Sequence, residues 1–168
     1  MDAQGYVANY TRVFALAPGV MQAWEGLAGT VRAGMDLRRY ELATLAAARR
    51  LRSDYCSLAH GSVLLERFYD EKAVEAMATG HAADALEPVD VAIMDFATKV
   101  AADPAAVTAA DVAELREHGL SEPEILQVVL AVCIRRFFSG VLSATGAEPD
   151  AFAALSPDLR NALTSDIP

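Results

Sequence analysis

Cysteine and histidine are scarce in this chain of 168 residues, and that scarcity already excludes several classes of protein. The two cysteines, Cys56 and Cys133, stand far apart in sequence, and in a reducing compartment neither is expected to be a structural disulfide partner. At this length a chain buries roughly 70% of the surface its unfolded form exposes, so no staple is needed. The three histidines, His60, His81 and His118, are scattered, and no second Cys or His lies within ligand spacing of Cys56. No metal and no cofactor are therefore expected. Basic residues are also few: 14 Lys plus Arg face 23 Asp plus Glu, a net charge of −9. That balance argues against nucleic acid and against an anionic membrane surface, and leaves small molecules or other proteins as partners.

Long hydrophobic runs are missing as well. The stretch from Ile125 to Ile134 is interrupted by Gln127 and ends at Arg135 and Arg136, short of the run of about 20 that spans a bilayer. The N-terminus, MDAQGYVANYTRVFALAPG, lacks a basic region followed by an apolar run and a small-residue cleavage site. A soluble, cytoplasmic protein is expected. With 54% hydrophobic residues the chain is too apolar for disorder.

What remains is helix. Alanine is abundant, β-branched and aromatic clusters are sparse, and apolar residues recur at three and four rather than at two. Asp36 predicts the N-cap of a helix over 37–52, followed after Ser53 by a second helix over 54–68. Further helices are predicted over 71–79, ended by Gly80, and over 88–102, ended by Asp103 and Pro104. Thr108 with Asp111 and Ser121 with Glu124 have the spacing of capping boxes, and Gly119 between them suits a helix end. The second box opens a long apolar helix over 122–144, and 19–34 is amphipathic. The segment after Pro149, including AFAAL, reads as a short terminal helix and tail. No repeat or linker divides the chain, so a single domain over 1–168 is expected. A DNA-binding reading of the corner at Gly119 is discounted, because the would-be recognition helix begins SEPEILQVVL, with acids where phosphate-binding cations belong.

Chemistry concentrates in RRYELATLAAARRLRSDYCSLAHGSVLLE, residues 38–66. Cys56 and His60 are four apart and share one helical face, and a thiol beside an imidazole can be held as a thiolate. If Ser53 caps this helix, Cys56 sits in its first turn, where the helix dipole adds to that effect. Glu41, one helix earlier, can approach His60 if the chain turns back at Ser53, orienting the ring or taking its proton. By spacing alone Cys56 also fits the role of a small buried hydrophobe in an Ala-rich helix. Cys133, in LQVVLAVCIRRFF, reads as a buried, inert thiol. Arg49, Arg50 and Arg52 read as a solvated or interface-facing cluster at a helix end.

The stretch resembles the core of the alkylhydroperoxidase D-like members of the carboxymuconolactone decarboxylase superfamily. Their signature is a Glu, then twelve residues later a Cys-x-x-Cys, then a His four residues after the second Cys. Glu41, Cys56 and His60 match it, and Ser53 stands where the first Cys belongs. The downstream GLSEPEILQVVLAVCIRRFFSGVL looks like the family's second helical block, so about two thirds of the chain takes part.

The resemblance implies an all-α helical bundle that assembles as a homo-oligomer, commonly a trimer or a multiple of it. It implies a thiol-dependent, peroxiredoxin-type reduction of a hydroperoxide, with Cys56 as attacking thiolate, His60 as its proton partner and Glu41 completing the relay. Because a serine cannot resolve the sulfenic acid, an external thiol reductant must do so, or Cys133 must come near. Ser53 has two expected roles, helix N-cap and hydroxyl donor to the Cys56 sulfur, and Tyr55 and His81 are candidates for shaping the pocket. Two alternatives stay open: an acid–base lactone decarboxylase built on His60 and Glu41 with Cys56 as a pocket residue, and a non-catalytic oligomeric binding module.

Overall fold

The computed structural model describes residues 7–165, and among them nine α-helices and no strand are found. In chain order they are α1 (Asn9–Phe14), α2 (Pro18–Ala33), α3 (Leu37–Arg50), α4 (Asp54–Arg67), α5 (Glu71–Ala78), α6 (Pro88–Ala102), α7 (Ala109–Glu117), α8 (Glu122–Ala144) and α9 (Pro157–Thr164). The local signals act as expected. Asp36 accepts from the Arg39 N–H at 3.0 Å, and both Thr108/Asp111 and Ser121/Glu124 form complete capping boxes. Gly80 and Gly119 stand at helix ends with φ of 83° and 87°, a backbone that side chains disfavour.

Helix α3 lies at the centre, packed against α4, α6 and α8. Its Leu42, Ala43, Leu45, Ala47 and Ala48 are wholly buried, and the small alanines let neighbouring backbones approach from several sides. Its N-terminus is fastened to α6 by Asp90, fully buried, which accepts from Arg38 through both terminal guanidinium nitrogens and lies 3.5 Å from Arg39 Nε. Only Leu51, Arg52 and Ser53 separate α3 from α4, with Arg52 in the left-handed region at φ 53° and Ser53 N–H bonded to Ala48 O at 3.0 Å. This tight connection makes α3 and α4 a hairpin, and the candidate site is built inside it.

Three expectations need correction. Arg49 is not solvated: it is buried and donates to the carbonyls of Ala78 (2.9 Å) and Leu163 (2.5 Å), tying α5 and α9 to α3. Cys133 is exposed rather than buried, because α8 turns a different face inward. The AFAAL segment is not helical, and α9 begins only at Pro157, a residue suited to the first helical turn. Helix α1 carries no capping side chain and is held by tertiary contacts, among them the bond from Asn9 N–H to Asp150 at 2.9 Å. The 23 residues of α8 are long and apolar enough to cross a membrane by length and composition, yet half of that stretch is buried inside the bundle.

Candidate active site

The α3–α4 hairpin brings Glu41 and His60 together at 2.5 Å, carboxylate Oε2 to ring Nδ1, both side chains nearly shielded from solvent. Thr44, one turn after Glu41, donates its hydroxyl to the Tyr40 carbonyl at 2.7 Å and sits 3.2 Å from the same ring nitrogen. With two acceptors at Nδ1, the network assigns the ring proton there and leaves the lone pair on Nε2. The Tyr40 ring meets the imidazole edge-on, centroids 6.4 Å apart.

The charges agree with that assignment. Burial lowers the basicity of His60 and the cation of Arg135 lowers it further, outweighing the opposite pull of Glu41. Burial by itself pushes the Glu41 carboxyl up, but His60 and the charges of Arg135 and Arg32 bring it below the usual carboxylate range. The pair rests as carboxylate and neutral imidazole, a base with its orienting acid.

Cys56 lies in the first turn of α4 and is 1% exposed. Sharing a helical face with His60 did not make the imidazole its hydrogen-bond partner; the sulfur instead accepts from Arg135 Nη1 of α8 at 3.4 Å. Ser53 occupies the N-cap position but makes no capping bond with its side chain, and its buried hydroxyl finds no hydrogen-bond partner among the described residues. Neither expected bond of Ser53, to the helix or to Cys56, is formed. Tyr55 is drawn elsewhere: its hydroxyl donates to Asp150 and accepts from Tyr10 N–H at 3.4 Å, and burial with the Asp150 bond pushes the phenol well up. His81 is exposed, 3.3 Å from Thr79 Oγ1.

A cavity of about 480 Å³ opens onto this assembly. Glu41, His60, Tyr40 and Arg135 contribute its polar wall, and Trp24, Met21, Tyr10 and Phe152 much of its apolar wall. Cys56 does not line it; Arg135 touches both the cavity and the sulfur. Among the described residues no group of three or more His, Cys, Asp or Glu could hold a metal. Sequence reasoning missed Arg135, Tyr40 and Thr44. Arg135 had a readable signal, a cation inside an otherwise apolar helix, which must find a polar partner if that face is buried.

No family model and no curated sequence matches the chain. Solved structures do match. The alkylhydroperoxidase AhpD core of an uncharacterized peroxidase-related protein from Ralstonia eutropha JMP134 superposes with a TM-score of 0.82 at 20% identity, covering 98% of this chain and 85% of that one. An uncharacterized peroxidase-related protein from Silicibacter sp. TM1040 gives 0.81 at 22% identity, over 88% and 79%. A variant of the debrominase Bmp8 in complex with 2,3,4-tribromopyrrole gives 0.78 at 16% identity, over 89% and 81%. The chain thus has the all-helical fold of the alkylhydroperoxidase D-like, peroxidase-related proteins.

Proposed function

We propose that this protein belongs to the alkylhydroperoxidase D-like branch of the carboxymuconolactone decarboxylase superfamily and is a thiol-dependent peroxidase with Cys56 as its one reactive cysteine. The observation that carries this reading is a buried sulfur held by a guanidinium, next to a Glu41–His60 pair that faces a cavity large enough for an organic hydroperoxide. Cys56 reacts as the thiolate, its proton passed to solvent, and His60, its ring held by Glu41, carries a proton in from the cavity. The sulfur attacks the terminal peroxide oxygen: an S–O bond forms, the O–O bond breaks, and the leaving alkoxide receives the proton from His60. Sulfur is oxidised to a sulfenic acid and the peroxide is reduced to an alcohol. One external thiol displaces hydroxide, which leaves as water, to give a mixed disulfide, and a second restores Cys56 as a symmetrical disulfide is released. Ser53 imposes this external route, which suits the reducing cytoplasm.

A second reading rests on one observation: Glu41 and His60 line the cavity and Cys56 does not. That arrangement fits an acid–base enzyme, such as a lactone decarboxylase, in which the thiol is scenery. Peroxide followed by dimedone, read by mass spectrometry in a Cys133→Ser background, tests the first reading; the background is needed because Cys133 is the exposed thiol. A sulfenic adduct on Cys56 and loss of peroxide consumption in Cys56→Ser are expected. Consumption that survives Cys56→Ser would overturn it, and lactone turnover lost in His60→Gln but kept in Cys56→Ser would establish the second.

A further inference from the structure

Arg135 is 5% exposed, in the interior of α8, and among the described residues it makes no ion pair with a carboxylate. Its polar contacts are the Cys56 sulfur at 3.4 Å and the Tyr40 hydroxyl, with the Phe138 ring 5.6 Å from its guanidinium carbon. A cation taken out of water needs a compensating anion close by. Glu41 acts on it only through space and is already bonded to His60. Of the two groups it touches, the sulfur is the nucleophile of the peroxidase reading, so it is the group whose negative charge the site can use.

We propose that Arg135 is the positioning residue of this site: it holds the Cys56 sulfur in anionic form as its own counter-charge and stands between that sulfur and the cavity. A substrate oxygen then reaches the sulfur by accepting the N–H donors that the sulfur now occupies. The same guanidinium would meet the negative charge that develops on the leaving oxygen, where fixed donors count most. The inference rests on the peroxidase reading for its purpose and on the geometry alone for its test.

The test compares Arg135→Met and Arg135→Lys, each in the Cys133→Ser background, for the rate of Cys56 alkylation by iodoacetamide at neutral pH and for thiolate absorbance in the ultraviolet. Arg135→Met is expected to be alkylated at least about tenfold more slowly and to lose thiolate absorbance, and Arg135→Lys to recover most of both. Arg136→Met is the control, since Arg136 bonds the carbonyls of Val100 and Ala101 instead, and it should leave both readouts unchanged. If Arg135 only plugs the path to the sulfur, Arg135→Met will be alkylated faster; that result, or a lysine variant no better than methionine, overturns the proposal. Should Arg135→Met fail to fold, Arg135→Gln takes its place in the same comparison. Absence of a sulfenic adduct in the wild type would remove the peroxidase reading while leaving the alkylation result to stand or fall separately.

Discussion

Ser53 offers the sharpest perturbation, because its buried hydroxyl has no hydrogen-bond partner among the described residues and its position is where a Cys-x-x-Cys pair would place the first sulfur. An unsatisfied buried hydroxyl costs about 1–3 kcal/mol, whereas a thiol is a weak donor that tolerates an apolar surrounding. At 2% exposure the Ser53 hydroxyl cannot recover that loss from water. We therefore expect reduced Ser53→Cys to be about 1 kcal/mol more stable than wild type, which for a chain of this size raises the melting temperature by about 2–4 °C. On oxidation, closing the short loop between Cys56 and the new cysteine adds at most about 2 kcal/mol by the chain-entropy argument. The gain is smaller if Arg135 loses an anionic partner when the sulfur enters a disulfide. Urea denaturation with and without reductant measures both steps, and mass spectrometry verifies the disulfide. On the peroxidase reading the variant should also gain turnover with a dithiol reductant. A reduced variant less stable than wild type would refute the orphan-hydroxyl argument, and a disulfide-forming variant without dithiol turnover would count against the peroxidase cycle.

The remaining expectations are as follows. The folded state disfavours the protonated form of His60, so the unfolded chain takes up the proton first; stability should fall as pH drops below about 6.5, by at most about 1.4 kcal/mol per pH unit, and His60→Gln should flatten that limb in urea titrations at several pH values. An unchanged slope would refute it. Asp90→Ala should cost about 2–3 kcal/mol with an unchanged denaturant slope, because it removes the bonds from Arg38 and the ion pair with Arg39 while those cations, each about a third exposed, fall back on water. A loss under 1 kcal/mol, read by urea denaturation, would show that α6 is docked by packing alone. Leu126, Cys133 and Phe137 form an exposed stripe on α8, with Leu27 exposed on the adjacent α2, so we expect a homo-oligomer that Leu126→Lys with Phe137→Glu dissociates. Sedimentation of the wild type as a monomer at micromolar concentration would contradict this.

Local physics was legible in the sequence. Caps at Asp36, Thr108 and Ser121, the helix-ending glycines and the three-and-four apolar spacing depend on residues within a few positions of one another, and the helices they specify are found within two residues of the expected bounds. The meeting of Glu41 with His60 belongs to the same class, since a three-residue connection leaves two helices little choice but to fold back. The orientation of α8 does not. That helix is apolar nearly all round, so periodicity cannot say which face turns inward. Residues 133 and 135 lie roughly 200° apart on a helix, and packing against α3 and α2 decided that Arg135 goes in to the sulfur while Cys133 goes out. The same tertiary choice buried Arg49 under α9 and left the Ser53 hydroxyl without a partner among the described residues. Such outcomes depend on contacts between segments up to 114 residues apart, as from Arg49 to Leu163, where the removal of surface from water outweighs every local preference.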